Sequence, residues 1–284
     1  MNNTTDNPIL SINDLCFQAG KKKILDHIDI RFKRGETVLI AGINGAGKSS
    51  LLRCIAGVYL PDSGNITFDK NVSKKKIGFI SDKMSLFENY TLEEGIRFHC
   101  RVYGIENFDD SLLKRLNIKM TQKIKDLSNG ERAIYHLSLL ISQKPEILLI
   151  DEIIHIIDPY LRELFLESLI ELIEEYNTTI IMINHTFSEM GRLPERVMIM
   201  ETGSFILDEK VEALTDKVKK IVTDKELDGS FPVLFEKRSP VYNEYYIYPY
   251  KKGMESKSNF EFQDIELSEI IKSFIGGYYA KKRN

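Results

Sequence analysis

Residues 42–50 read Gly-Ile-Asn-Gly-Ala-Gly-Lys-Ser-Ser, which fits the spacing G-x-x-x-x-G-K-[ST]. The pattern has a chemical meaning. Glycines let the backbone curl until several N–H groups point inward at phosphate oxygens. A helix that starts at the lysine adds the positive end of its dipole. On this reading Gly42, Asn44, Gly45, Ala46, Gly47, Lys48, Ser49 and Ser50 form a phosphate cradle. Lys48 bridges the terminal phosphates, and the Ser49 hydroxyl sits on Mg²⁺. A second pair, Asp151 and Glu152, ends the apolar run "EILLIDE". An aspartate at the end of a buried strand can hold Mg²⁺ through water. The carboxylate beside it can orient and deprotonate an attacking water. His185 closes another apolar run, "IMINHT", where it can hydrogen-bond a terminal phosphate.

The segment "DLSNGERAIYHL", residues 126–137, carries a further signal. Ser128 and Glu131 have the S-x-x-E spacing of a capping box, which satisfies two orphan N–H groups at a helix start. The same exposed helix end can also face a phosphate. The residues alone support the cap.

These groups need a scaffold that gathers them. "TVLIA" (37–41), "EILLID" (146–151) and "TIIMIN" (179–184) are apolar without alternation, as parallel strands buried on both faces are. Ile9–Phe17 and Ile24–Phe32 also read as strands. Between the last two apolar runs, Leu161, Leu164, Phe165, Ser168, Leu169, Leu172 and Ile173 recur at helical spacing and make one apolar stripe. Strand, helix, strand with buried strands implies a right-handed βαβ unit and an α/β fold. Residues of about 83–143 read as helical, an insertion into that domain. After about residue 215 come a tyrosine-rich strand, "VYNEYYIYPY", and an amphipathic helix, "IELSEIIKSFIGGYY".

The bulk numbers exclude some classes. The chain has 284 residues, 43% hydrophobic and 29% charged, with a net charge of −3. That balance gives no electrostatic case for nucleic acid. Cys16, Cys54 and Cys100 are scattered, without a C-x-x-C or a histidine at ligand spacing, and read as reduced core thiols of a cytosolic protein, with no metal or disulfide role expected. The start "MNNTTDNPIL" has neither the basic nor the apolar part of a signal peptide. The most apolar stretch, "EILLIDEIIHII", is too short and too charged to span a bilayer. If the protein serves a membrane process, another chain does the spanning.

Taken in order, these motifs resemble the ATPase subunit of an ATP-binding cassette (ABC) transporter, over about residues 9–210. The phosphate loop, "LSNGE" (127–131) as the family signature, "ILLIDE" as the metal-binding strand, "IIDP" (156–159) as the following loop and His185 as the switch histidine all fall in sequence. The N-K-x-D base-reading element of small GTPases is missing. The resemblance implies a P-loop fold with a mainly parallel core sheet, an N-terminal antiparallel β part, an inserted helical subdomain and a small C-terminal α+β appendage. Residues 1–215 are then the nucleotide-binding domain and 216–284 an accessory domain. It implies ATP and Mg²⁺ as cofactors, with Lys48, Glu152 and His185 catalytic. It further implies head-to-tail pairing with a second ABC ATPase subunit, as a homodimer or as a heterodimer with two unequal sites, in which Ser128 and Gly130 meet the ATP held by the partner. A separate integral membrane permease would hold the pair at the inner face of the cell membrane.

The sequence departs from the family at identifiable places. Asn129 and Glu131 stand where the signature has glycine and glutamine. Asp82 aligns with the coupling-loop glutamine; it either approaches Mg²⁺ or caps a turn. Ala19 replaces the adenine-stacking tyrosine, which leaves Phe17 as the aromatic at hand. Ile153 and Ile156 replace a proline and a glycine, while Asp158 is kept. The phosphate and hydrolysis groups are intact, so a working ATPase is expected. The short insertion and the tail lean toward an exporter. A soluble ABC ATPase of defence, repair or translation is the alternative. A single cassette without sustained heptads speaks against the repair and translation types.

Overall fold

The structure is a computed structural model and describes residues 7–81, 86–184, 193–227, 229–255 and 260–281. Strands β1 (Leu10–Ala19) and β2 (Lys22–Phe32) pair antiparallel; β3 (Thr37–Gly42) follows, then helix α1 (Lys48–Ile55). Strand β4 (Ser63–Phe68) returns to the first pair and completes a three-stranded sheet in the order β2-β1-β4. β5 (Ile77–Ser81) leads to the helices α2 (Leu92–Tyr103), α3 (Ser111–Arg115) and α4 (Asn129–Gln143). β6 (Ile147–Asp151), α5 (Pro159–Tyr176) and β7 (Thr179–Ile183) form the βαβ unit, and β8 (Arg196–Glu201) and β9 (Ser204–Lys210) form a hairpin. The last part holds α6 (Val211–Lys217), β10 (Lys219–Thr223), β11 (Val233–Arg238), β12 (Asn243–Ile247) and α7 (Leu267–Lys281).

The central sheet runs β5-β6-β7-β3-β8-β9. Its first five strands are parallel and only β9 is antiparallel. The continuous apolar runs now have their reason. Val38 and Ile40 of β3 pack with Leu51, Leu52 and Ile55 of α1 and with the β1–β2 pair. The alternate residues Leu39 and Ala41 pack on the opposite side with Ile134 and Leu137 of α4 and with Leu164, Phe165 and Leu169 of α5. Each strand therefore buries both faces, and no polar alternation survives. The predicted stripe of α5 is buried at Leu161, Leu164, Phe165, Ser168, Leu169 and Leu172, and Ile173 packs at its margin.

The helices of the insertion have a small core of their own, built on Leu92, Leu113, Ile124, Leu127, Tyr135 and Leu139. In the C-terminal part, β10, β12 and β11 make an antiparallel sheet. Its residues Ile221, Tyr245 and Ile247 form a local cluster, whereas Ile270, Ile271 and Phe274 of α7 join the core of the main sheet. Among the described residues no helix is long and apolar enough to cross a membrane.

Candidate functional site

Strand β3 ends at Gly42, and the chain turns through residues 43–47 into α1. Two glycines make this turn possible. Gly42 has φ 141°, and a Cβ there would strike the Met200 carbonyl of the neighbouring β8. Gly47 has φ 110° and is the N-cap of α1; a Cβ there would lie 2.7 Å from the Ile24 carbonyl oxygen. Only glycine meets both the backbone and the space demands. The loop is pinned from outside by the Gly203 N–H, which donates to the Ala46 carbonyl at 2.9 Å. The result is a curled backbone at the start of a helix, the geometry of an anion cradle. Asn44 and Gly45 are exposed, and Ser50 is half-buried in the first turn of α1.

Lys48 is buried, and its ammonium donates to the carbonyls of Gly42 at 3.0 Å and Ile43 at 2.9 Å. Burial holds it below the ordinary lysine range, opposed in part by the charges of Glu152 and Asp151. Ser49 Oγ donates to Asp151 Oδ1 at 2.8 Å. Asp151, at the end of β6, is only 2% exposed. A buried carboxylate beside a hydroxyl at a helix start is a donor set of the hard oxygen type that Mg²⁺ takes. Glu152 follows in the left-handed region with φ 53°, an uncommon place for a non-glycine residue. Its N–H donates to the Ile183 carbonyl at 3.1 Å, which locks the turn after β6 to the end of β7. Gly42 and Asp151 thus stand on β3 and β6 with β7 between them, all at the carboxyl edge where open α/β sheets bind ligands.

Sequence spacing misses one group here. Arg53, one turn along α1 from Ser49, places Nη2 3.4 Å from Asp151 Oδ2. Its guanidinium also lies 5.8 Å from the centre of the Tyr59 ring, which stacks on Phe17 at 5.2 Å and 13°. An aromatic pair and the metal-type carboxylate are therefore joined through one arginine. The signal, an arginine at i+4 from the serine, is visible in the sequence only once the partner strand is known.

The start of α4 is built as expected. Glu131 N–H donates to Ser128 Oγ at 3.2 Å, and Ser128 N–H to Glu131 Oε2 at 2.8 Å. The same box recurs at Thr91 and Glu94 on α2, so a capping box by itself does not mark a ligand site. What sets α4 apart is its neighbour. A Cβ on Gly130 would sit 2.7 Å from Leu161 Cδ1 and 3.2 Å from Asp158 Oδ2. Asp158 in turn caps α5, accepting from the Leu161 N–H at 3.1 Å. Two helix starts are therefore pressed together at Gly130. Ile153, in place of the family's proline, is fully buried in the main core. Asp82 and His185 lie outside the described residues.

The family model for ABC transporters matches residues 25–155. Among relatives, the energy-coupling factor transporter ATP-binding protein EcfA2 of Clostridium perfringens is 30% identical over 222 residues, covering 71% of this chain and 78% of its own. The probable sulfate/thiosulfate import ATP-binding protein CysA of Chlorella vulgaris is 29% identical, covering 72% of this chain and 92% of its own. The Nod factor export ATP-binding protein I of Rhizobium etli is 29% identical, covering 74% and 70%. Among solved structures, an ATP-binding subunit of an ABC transporter is similar with a TM-score of 0.67 at 23% identity, covering 72% of this chain and 91% of that one. A dimeric ATP-binding cassette in a post-hydrolysis state with ADP and Pi matches at a TM-score of 0.61 and 21% identity, covering 71% of this chain and 98% of that one. The structural likenesses speak for the fold. The 30% identity to a relative over most of that relative's length goes further, and this chain belongs to the ABC transporter family as an ATP-binding, ATP-hydrolysing subunit.

Proposed function

We propose that two such subunits close head to tail on MgATP and drive a separate membrane permease. The phosphate loop of one subunit holds the nucleotide, and the start of α4 in the other completes the site. The observation that carries this reading is the Ser49–Asp151 bond beside the buried Lys48, a phosphate cradle and a cation-binding pair in one place. When bound, Mg²⁺ neutralises phosphate charge. The chain's own residues do the rest. Lys48 leaves its loop carbonyls for the terminal phosphates. Glu152, fixed by its N–H to Ile183, orients the attacking water and takes its proton. His185 and Asp82 are assigned to the γ-phosphate and the metal by motif position. Phe17, backed by Tyr59, is assigned to the adenine ring. Ser128 and Gly130 present first-turn N–H groups to the partner's γ-phosphate.

Residues 1–215 act as the nucleotide-binding unit and 216–284 as an accessory part. The permease holds the pair at the inner face of the membrane. Relatives are named for import and for export, so their names do not choose a direction. The short helical insertion and the C-terminal appendage support export.

The test is the mass of the Glu152→Gln variant by light scattering, with and without MgATP. Conversion of monomer to dimer is expected. A monomer that demonstrably holds nucleotide overturns pairing with an identical subunit. Co-purification with a polytopic membrane protein is expected, and its absence favours the soluble alternative.

A further inference from the structure

The sequence shows no histidine at ligand spacing from a cysteine, yet the β1–β2 register brings such a pair together. Cys16, Asp26 and His27 offer a sulfur, a carboxylate oxygen and a ring nitrogen that lie within 4.8 Å of one another. Cys16 is buried, Asp26 half-buried and His27 exposed. The backbone N–H of His27 donates to Cys16 Sγ at 3.4 Å. The His27 ring is oriented from both sides: Nδ1 is hydrogen-bonded to Asp14 Oδ1, and Nε2 stands 3.7 Å from Asp26 Oδ1. An imidazole with one nitrogen fixed by a carboxylate and the other turned toward further donors is the usual arrangement of a ligating histidine. The Asp26 oxygen is shielded from solvent, and the ammonium of Lys23 is ion-paired with it. A cation is thus already favoured at this point.

We propose that Cys16, Asp26 and His27 form a binding site for Zn²⁺, with a fourth position open to water. Thiolate, imidazole and carboxylate together suit zinc, whereas the hard Mg²⁺ takes oxygen ligands. The site is distinct from the Ser49–Asp151 pair. Tetrahedral zinc ligands sit roughly 3.3–3.8 Å apart, so the set contracts by about 1 Å from its widest separation. Side-chain rotation of the exposed His27 supplies that movement. Zinc displaces the Lys23 ammonium from Asp26, and the Cys16 thiol gives its proton to solvent as it becomes a ligand. The site lies two hydrogen bonds from the phosphate loop: Asp26 N–H donates to the Gly203 carbonyl, and Gly203 N–H to the Ala46 carbonyl, both at 2.9 Å.

Titration of the nucleotide-free full chain with Co²⁺ tests this, because cobalt bound to a thiolate gives a near-ultraviolet charge-transfer band. One equivalent of Co²⁺, displaced by Zn²⁺, is expected. The band is expected to vanish in Cys16→Ser and in His27→Ala, and to persist in Cys54→Ser and Cys100→Ser. Lys23→Met, which removes the competing ammonium, tightens binding severalfold. A band that survives both Cys16→Ser and His27→Ala overturns the proposal. So does a wild-type chain that binds no Co²⁺, or metal uptake that follows Cys54 or Cys100. His27 is exposed, so His27→Ala remains informative if Cys16→Ser fails to fold.

Discussion

Ser49 Oγ donates to Asp151 Oδ1 at 2.8 Å, tying the first turn of α1 to the end of β6. The phosphate loop and the strand-end carboxylate are thereby one unit before any ligand is considered. If both oxygens serve Mg²⁺, Ser49→Ala and Asp151→Asn each weaken metal-dependent hydrolysis, by roughly 100-fold at low Mg²⁺. Excess Mg²⁺ partly restores Ser49→Ala. ATPase rates measured across a Mg²⁺ series check this.

Arg53 places a positive charge 3.4 Å from the other oxygen of Asp151. Two charges at such a distance interact by about 5 kcal/mol at an effective dielectric near 20. Arg53 is 28% exposed, so only part of that acts. The charge opposes a cation on Asp151. Arg53→Met therefore lowers the Mg²⁺ concentration for half-maximal ATPase by severalfold. A rise instead would mean that Arg53 chiefly orients the carboxylate.

Gly130 sits where the starts of α4 and α5 press together. A side chain there forces Leu161 and Asp158 apart. Gly130→Val is expected to cost about 1–3 kcal/mol, read as a lower urea midpoint at unchanged slope. Gly45, with nothing within 4 Å of a Cβ, lacks that packing constraint.

Two histidines make stability depend on pH. Burial lowers His99 to a pKa of about 4, and burial together with the His99 charge lowers His136 to about 4. In the unfolded chain each takes up a proton below about 6.5. The folded values are depressed, so the stability is full above the unfolded pKa and is lost as pH falls from there toward the folded value. At about pH 5 each imidazole costs on the order of 2 kcal/mol. Urea unfolding at about pH 7.5 and about pH 5 shows that loss, and His99→Gln and His136→Gln each reduce it.

Much of the α/β fold is legible in the sequence because burial on both faces leaves a plain mark. "TVLIA", "EILLID" and "TIIMIN" became β3, β6 and β7 with no change of type. Of the strands outside those three runs, two lack that mark. β4 is largely exposed and β9 is an exposed edge, whereas β8 is buried over Val197–Met200 and does carry it. The β8–β9 hairpin did carry a signal, Thr202–Gly203, both in the left-handed region. The cap at Ser128 is local and was readable; the contact of Gly130 with Asp158 joins two helices and was not. Cys16 and His27 meet only through strand register, which spacing along the chain does not encode.

Lys48, Ser49, Asp151 and Glu152 are proposed to make one ATP-hydrolysing site. Steady-state ATPase activity of the chain and of Glu152→Gln, measured beside retention of labelled ATP, tests it most directly. Glu152→Gln is expected to bind ATP as the parent chain does and to lose hydrolysis by at least about 100-fold. Hydrolysis unchanged by Glu152→Gln would contradict it.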